Sequence, residues 1–343
     1  VVGVSDMISG PRRPVGVRDV AAAAGVSRQT VSRVLNEHPD VAEATKERVL
    51  AAMSDLGYRM NNAARALGTK RTRTIGVVAS DALEYGPSRS IAAIEASARA
   101  AGFWVSAAFA DSGDADSVRS AVAHLQAQSV DGLIVFAPHA SALDVLDGID
   151  VGVPVAVLHA GGRGESGLSV DQVTGARLAV RALLDAGHRQ IAHVAGPAEW
   201  MEASARTAGV VAELDAHGLR PVVIVDGDWT AGSGHRAAAA VADSGATAVF
   251  ASNDQMALGL IGGLRERGLR VPEDVSVVGF DDTPDAAFFW PALTTVRQDF
   301  EELARRAVAA VTGEGLVPSE PVEPVLIERA SVQPPRHADG IAR

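Results

Sequence analysis

A chain of 343 residues exceeds what one small hydrophobic core serves and fits two or three folding units. Its 47% hydrophobic and 21% charged content excludes a disordered polymer, and the absence of cysteine excludes disulfides, thiolate metal sites and cysteine nucleophiles, as in a reducing compartment. The net charge of −11 is unevenly spread: residues 1–73 hold 12 Lys/Arg against 7 Asp/Glu, and the remainder 19 against 35. A basic front end on an acidic body suits one small module that meets phosphate. No apolar run reaches membrane-spanning length and no charged-then-apolar opening of a secretory leader stands at the start, so the expected location is the cytoplasm.

Residues 1–15 read as a loose tail and 16–60 as a headpiece of three short helices. In VRDVAAAA (17–24), Val17, Val20 and Ala21 share one apolar face, and Gly25 stops the helix. Ser27 is placed to cap a second helix over 28–35. Pro39 breaks the chain before a third, over 44–56, whose apolar face is Val49, Leu50, Met53 and Leu56. Residues 61–73 form a hinge and linker, in which NNAARALG (61–68) is helix-capable but too short to be stable alone. From residue 74 strand-like runs (TIGVVAS, FWVSAAFA, DGLIVFA, PVAVLHA, QIAHVAG, PVVIVDGD, AVFASND, DVSVVGFDD) alternate with Ala-rich helical stretches. That rhythm predicts parallel sheets flanked by helices. The core is expected over 74–335 in two lobes, 74–169 with 295–326 and 170–294 with 327–335, followed by a Pro-containing tail, 336–343.

The strongest local motif is RDVAAAAGVSRQTVSRVLN at 18–36. Helix, glycine-containing turn and second helix is the helix-turn-helix pattern, which lays the second helix in the major groove with its N-terminal residues at base edges. That position holds Arg28, Gln29 and Thr30, with Ser32 and Arg33 one turn on. An Arg fork pairs with guanine, a Gln amide with adenine, and Ser or Thr with phosphate. Val26, Val31 and Val34 would face inward and lock the helices together.

GVSRQTVSRVLN resembles the headpiece of the lactose-repressor (LacI/GalR) family of bacterial transcription regulators, and the similarity continues through AGP (195–197), NDQMALG (253–259), SVVGFDDT (276–283) and PALTTVRQDF (291–300). The resemblance implies a helix-turn-helix headpiece on a periplasmic-binding-protein-like core of two doubly wound parallel-sheet lobes. It assigns base reading to Arg28, Gln29 and Arg33, phosphate contacts to Ser27, Thr30, Ser32 and Asn36, and a minor-groove wedge to Leu67. Two symmetric wedges imply a homodimer on a near-palindromic operator. Met60 replaces a common proline ahead of the hinge, and Ala42 replaces a capping serine at a cost of about 1 kcal/mol.

For a small polyol effector the resemblance assigns Arg206, Asn253, Asp281 and Gln298 to the hydroxyls and Trp229 and Phe300 to the apolar face. Apart from the resemblance, Asn253, Asp281 and Trp229 each follow a predicted strand, where open α/β sheets bind ligands. Pro87 in the 83–90 loop and Gln255, two residues past Asn253, are further candidates. The pocket departs from the family's founding pattern: Glu84 replaces an apolar contact, His159 an aspartate, Glu202 a serine and Phe136 an asparagine. A ligand with a cationic or hydroxyl-rich end, or a differently shaped glycoside, remains open, as does a co-repressor in place of an inducer.

GRGESG at 162–167 matches a dinucleotide-binding spacing, but its third glycine does not open a helix, so no cofactor is expected. His188 reads as a helix C-terminal cap or surface residue. No histidine pair has metal-site spacing and no Gly-x-Ser-x-Gly elbow occurs, which argues against an enzyme on this core; a transport-type sugar-binding protein would lack a use for the headpiece. The closing PPRHADGIAR carries no leucine heptads, so dimers rather than tetramers are expected.

Overall fold

A computed structural model describes residues 15–35, 40–58, 71–80, 84–111, 113–137, 139–159 and 168–336. Asn36, Met60, Leu67, the 61–68 segment, the 162–167 glycine pattern and residues 1–14 and 337–343 of the tails lie outside them. The chain divides at Thr72/Arg73 into two compact units.

The first unit holds α1 (Val17–Ala24), α2 (Arg28–Leu35) and α3 (Glu43–Asp55). Gly25 adopts φ 64°, a left-handed turn that most side chains resist, and so ends α1. The Ser27 hydroxyl accepts a 3.0 Å bond from the Thr30 amide and caps α2 as expected. Val20, Val31 and Val49 are fully buried, with Ala21, Ala24, Val34 and Ala52 closing the small core and Val26 packed beside it. The expected third-helix face is corrected here. Leu50 and Leu56 are exposed (48% and 36%), and the buried stripe runs through Val49, Ala52 and Met53. Leu50 lies about 100° round the helix from Val49, and Leu56 falls past the last helical turn. Ala42 stands at the α3 N-cap with no side-chain bond.

The second unit begins with a four-stranded parallel sheet, order β2-β1-β3-β4: β1 (Thr74–Ser80), β2 (Trp104–Ala110), β3 (Gly132–Phe136) and β4 (Val155–Leu158). Alternation along each strand feeds both faces. Ile75, Val77, Ile134 and Leu158 meet α4 (Tyr85–Ala100) and α11 (Phe300–Thr312); Val78, Leu133 and Val135 meet α5 (Ala115–Ala127). A short α6 (Ala140–Asp147) precedes β4. The other lobe is a six-stranded sheet, order β10-β9-β8-β7-β5-β6. It comprises β5 (Ile191–Ala195), β6 (Ile224–Asp226), β7 (Ala248–Ala251), β8 (Ser276–Asp281), β9 (Thr294–Arg297) and β10 (Val325–Ile327). One face is covered by α7 (Gln172–Asp185) and α8 (Met201–Ala216), the other by α9 (Ala231–Asp243) and α10 (Asp254–Glu266).

The chain passes between the sheets three times: near Val170, between β9 and α11, and near Val322. Val170 and Val322 form a parallel bridge, with Asp171 N–H donating to Val322 O at 3.0 Å and Val322 N–H to Ser169 O at 2.8 Å. The expected lobe limits shift accordingly. Residues 295–297 pair with β8 through Asp281↔Arg297, and 325–326 pair antiparallel with β9, so both belong to the six-stranded lobe. A three-residue edge strand inside a Pro-rich stretch shows too little alternation to be read from sequence.

His188 is also corrected. It is 1% exposed and so not a surface residue; its backbone N–H does cap α7, donating to the Leu183 carbonyl at 3.0 Å, but its ring serves elsewhere. Its Nε2 lies 2.9 Å from the Gln333 carbonyl, which only accepts, so Nε2 carries the proton and Nδ1 accepts from Thr247 Oγ1 at 2.9 Å. This ring ties the 331–336 segment to the sheet. Burial pushes its pKa below the usual histidine range, so its stabilising share is present above about pH 6.5 and is lost on acidification. His188→Ala should cost about 2 kcal/mol or more near pH 7.5 by leaving buried partners unsatisfied. In chemical unfolding monitored by circular dichroism, the gap from the unaltered protein should shrink as pH falls below about 6.5.

Candidate functional site

Between the lobes lies a partly open cavity, whose space free of protein atoms, open solvent included, is about 780 Å³. It sits at the C-terminal ends of the parallel strands of both sheets, where strand order reverses on either side of β1 and β5. The four-stranded lobe contributes Glu84, Tyr85, Pro87 and Ser90 after β1, Phe136 at the end of β3, and His159 after β4. The crossover segments contribute Val170, Gln172, Gln298 and Phe300. Trp200, Glu202, Arg206, Trp229, Asn253 and Asp281 come from the six-stranded lobe.

Arg206 organises the floor. It is 5% exposed, and its charge demands partners. Nε donates to Gln172 Oε1 at 2.8 Å, Nη1 donates to the Ser252 carbonyl, and Nη2 lies 3.8 Å from Asp281 Oδ1. Gln172 Nε2 donates to Gln298 Oε1 at 2.8 Å, and Gln298 Nε2 to Asp281 Oδ1 at 2.7 Å. Four side chains thus close a ring that spans two of the three crossovers. The guanidinium also stacks 3.9 Å over the Phe280 ring and faces Trp229 at 5.4 Å.

Two carboxylates stand close together here. Burial pushes Asp281 up to about 6, opposed by Arg206 and the Gln298 bond. Asp254 is raised to about 7, by burial first and then by the Asp281 charge, against bonds from Thr295 and Thr283. Thr283 N–H donates to it at 2.7 Å and Thr295 Oγ1 at 2.5 Å.

The backbone is strained around the same residues, with φ 68° at Trp229, 104° at Asp281 and 51° at Asp282. Each costs of order 1–3 kcal/mol and needs external support. For Asp282 the support is an ion pair from Arg297 at 2.7 Å and another from Arg329 at 2.6 Å. For Trp229 it is Asn253 Nδ2, which donates to the Trp229 carbonyl at 3.0 Å while Oδ1 caps α10 through the Met256 amide at 2.8 Å. Turn capping and cavity lining are therefore both true of Asn253, which keeps one N–H for a ligand. Gly196 lies beneath the Trp229 ring, where an added Cβ would meet ring carbons at 2.2–2.6 Å. Trp200 stands edge-on to Trp229 at 5.5 Å, and Tyr85 edge-on to Phe300 at 6.2 Å.

Of the expected ligand residues, Glu84, Pro87, Phe136, His159, Glu202, Arg206, Trp229, Asn253, Asp281, Gln298 and Phe300 line this cavity, and Gln255 does not. Gln255 is half-buried on α10, whose cavity end is occupied by its cap, Asn253. Gln172 and Trp200 line it without having been anticipated, whereas Tyr85 and Ser90 lie on the 83–90 loop expected there. Trp200 carried a signal in the rarity of tryptophan; Gln172 carried none.

In the first unit, Arg28, Gln29, Ser32 and Arg33 are exposed along α2 opposite the buried Val31 and Val34. Ser27 and Thr30 share a 2.9 Å hydroxyl contact at its N-terminus.

Residues 17–61 match the family described as bacterial regulatory proteins, lacI family, and 180–332 match the periplasmic binding protein-like domain. The chain is 38% identical over 323 residues to the lactose operon repressor of Escherichia coli (strain K12), covering 89% of each chain. It is 36% identical to the HTH-type transcriptional regulator CelR of Thermobifida fusca, covering 92% of this chain and 96% of that one. Among solved structures, a lac repressor dimer bound to operator and the anti-inducer ONPF superposes with TM-score 0.81 at 36% identity, over 94% of this chain and all of that one. A CelR–cellobiose complex gives 0.67 at 32%, over 93% of this chain and all of that one.

Gly196→Ala should displace Trp229 and cost about 1–3 kcal/mol through overpacking. Thermal unfolding and tryptophan emission check this against Gly262→Ala, which meets nothing within 4 Å and should be neutral or slightly stabilising.

Proposed function

The chain belongs to the lacI family of bacterial regulatory proteins, and we propose that it is a repressor released from a near-palindromic operator by a small sugar or related inducer. It is a sequence-specific DNA-binding transcription regulator rather than an enzyme. The carrying observation is α2, which spends Val31 and Val34 on the core and leaves Arg28, Gln29 and Arg33 exposed with no hydrogen bond or ion pair among the described residues. An outward Arg fork and Gln amide one turn apart are suited to base edges, with Ser27, Thr30 and Ser32 beside phosphate. By resemblance Asn36 joins the phosphate contacts and Leu67 supplies the minor-groove wedge.

A second copy of the chain is the expected partner, as in the operator-bound lac repressor dimer. Trp104 and Phe109 project from the edge strand β2 with 64% and 69% exposure, and Phe288 and Trp290 are exposed at 86% and 90%. Apolar exposure on that scale is what a homodimer interface covers. The cytoplasm, where operator DNA lies, is the place of action.

The cavity residues serve as the effector site, with Asp281, Asn253 and Gln298 toward hydroxyls and Trp229 and Phe300 toward the apolar face. Complexes of relatives with ONPG and with cellobiose support a sugar or glycoside. Because the Arg206 ring joins residues at two crossovers, a ligand that remakes it acts on the lobe angle. Its influence on the operator can be no larger than its preference between lobe arrangements, commonly about 1–3 kcal/mol.

Selection from genomic fragments should recover an operator, and Arg28→Ala or Gln29→Ala should each lose about 1–3 kcal/mol of specific binding while non-specific, salt-sensitive binding persists. Full selectivity in both variants would sink the assignment. A sugar that weakens the operator complex marks an inducer, and one that strengthens it a co-repressor. Effector hydroxyls donate best to ionised Asp281, so binding releases a proton below its apo value of about 6. Affinity measured by calorimetry should therefore fall as pH drops below about 6 and level off above it.

A further inference from the structure

We infer that Asp254, which does not line the cavity, is a positioning residue for effector recognition: its carboxylate pins the turn leaving β8 and so sets how Asp281 meets a ligand. The inference rests on the reading of the cavity as the effector site. Asp254 opens α10 directly after Asn253, which lines the cavity and holds the Trp229 carbonyl. Both of its oxygens reach across to the neighbouring strands. Oδ2 accepts from the Thr283 amide at 2.7 Å, two residues past Asp281, and Oδ1 accepts from Thr295 Oγ1 at 2.5 Å on β9. Thr295 Oγ1 in turn accepts from the Asp282 amide at 3.4 Å. One carboxylate thus joins the start of α10, the exit of β8 and the strand β9. Between those anchors lie Asp281 and Asp282, at φ 104° and 51°, conformations that persist only where the surroundings hold them.

An acid in the first turn of a helix is ordinary, because the N-terminal dipole favours negative charge. Burial is not part of that explanation. Asp254 is 0% exposed and forms no ion pair among the described residues. Arg206 acts on it through space, but less than on Asp281 and Glu202, and spends its hydrogen bonds on Gln172 and the Ser252 carbonyl. The strand makes room for the carboxylate. At Gly279, midway along β8, an added Cβ would meet Asp254 Oδ1 at 2.3 Å. A glycine inside a strand and a carboxylate buried without a counter-charge both cost stability. What the arrangement secures is the geometry of Asp281.

Asp254 and Asp281 are like charges, so each makes the other harder to ionise. The other charged or titratable groups around the pair are Arg206 and Glu202 on α8, Asp282 with Arg297 and Arg329, and Tyr85 at the start of α4. Removing the Asp254 charge should let Asp281 ionise at lower pH, which loss of a neutral structural bond would not do.

The test uses the full chain, Asp254→Asn and Asp254→Ala, each checked for fold by circular dichroism, with D-galactose, D-glucose, cellobiose and ONPG as probes in calorimetry. For a probe that binds, Asp254→Ala should lose about tenfold or more in affinity, the worth of one hydrogen bond to a charged group. Asp254→Asn keeps an acceptor for the Thr283 amide, and the Thr295 hydroxyl can turn to accept from the new amide. It should lose less, and its fall in affinity on the acid side should move to lower pH. Without any probe, hydrogen exchange in Asp254→Ala should quicken at the Asp281 and Asp282 amides as well as at Thr283, with β7 unchanged. Asp254→Asn should also melt higher than the unaltered protein above about pH 7, with the gap closing toward about pH 5. The reason is that a carboxyl raised to about 7 by burial loses stability as pH climbs through that value. Quickening confined to Thr283, affinity in Asp254→Ala within about twofold of the unaltered protein, or an unmoved acid limb in Asp254→Asn overturns the inference. If none of the four probes binds, the exchange and melting results decide it by themselves. Binding that survives Asp281→Ala instead removes the cavity reading, and this inference with it.

Discussion

One buried guanidinium governs the ligand-binding half of this protein. Placing Arg206 where it is 5% exposed obliges the fold to surround it with acceptors, because an unmatched buried charge is far costlier than the strain needed to match it. Gln172, the Ser252 carbonyl and Asp281 meet that demand, and Gln298 closes the circuit. Those groups come from the start of α7, the ends of β7 and β8, and the segment leaving β9. The requirement to satisfy one side chain therefore fixes the relative positions of four strand or helix ends, and with them the site.

The strained backbone follows from the same requirement. Asp281 turns its carboxylate toward Gln298 and Arg206 only by leaving β8 at φ 104°, and Asp282 continues at φ 51°. Neither conformation is cheap for a residue with a Cβ. What holds them is an outer clamp, Arg297 and Arg329 on Asp282, anchored in turn where Arg329 Nη1 donates to the Leu293 carbonyl at 2.7 Å. Arg329 follows β10, the short antiparallel strand near the C-terminal end. A segment with no cavity residue of its own thus supports the cavity from behind. His188 reinforces the arrangement from below by tying Gln333 to β8 through Ser276.

Much of this was legible in the sequence, and the failures have physical causes. Strongly patterned elements were read closely, as with α1, α2 and β1, because periodic burial writes itself into residue order. Trp229, Asn253 and Asp281 were legible because strand ends in open α/β sheets are marked by where apolar runs stop. The buried role of His188 was not legible, since its partners Thr247, Ser276 and Gln333 are distant in the chain and the tripeptide around it resembles an ordinary helix end. Gln172 was missed for the same reason: an uncharged polar residue opening a helix is common, and only the fold brings Arg206 and Gln298 to it. Leu50 and Leu56 were misplaced because a small three-helix core has room for one narrow stripe per helix, and Val49, Ala52 and Met53 fill it.

The ring also limits what a ligand can gain. Arg206 already donates to Gln172 and to the Ser252 carbonyl, so a hydroxyl that reaches those donors replaces a bond and adds little net free energy, of order 1 kcal/mol or less, whereas Asp281, bonded through Oδ1 to Gln298, can still accept. Affinity must then come from apolar area covered by Trp200, Trp229, Phe136 and Phe300, and from groups that the ring does not serve. Glu84 and Glu202 line opposite walls of the cavity and belong to different lobes. Gln172 and Gln298 stand at two of the crossovers, so the circuit that fixes the cavity floor is also the part of the cavity tied to both lobes.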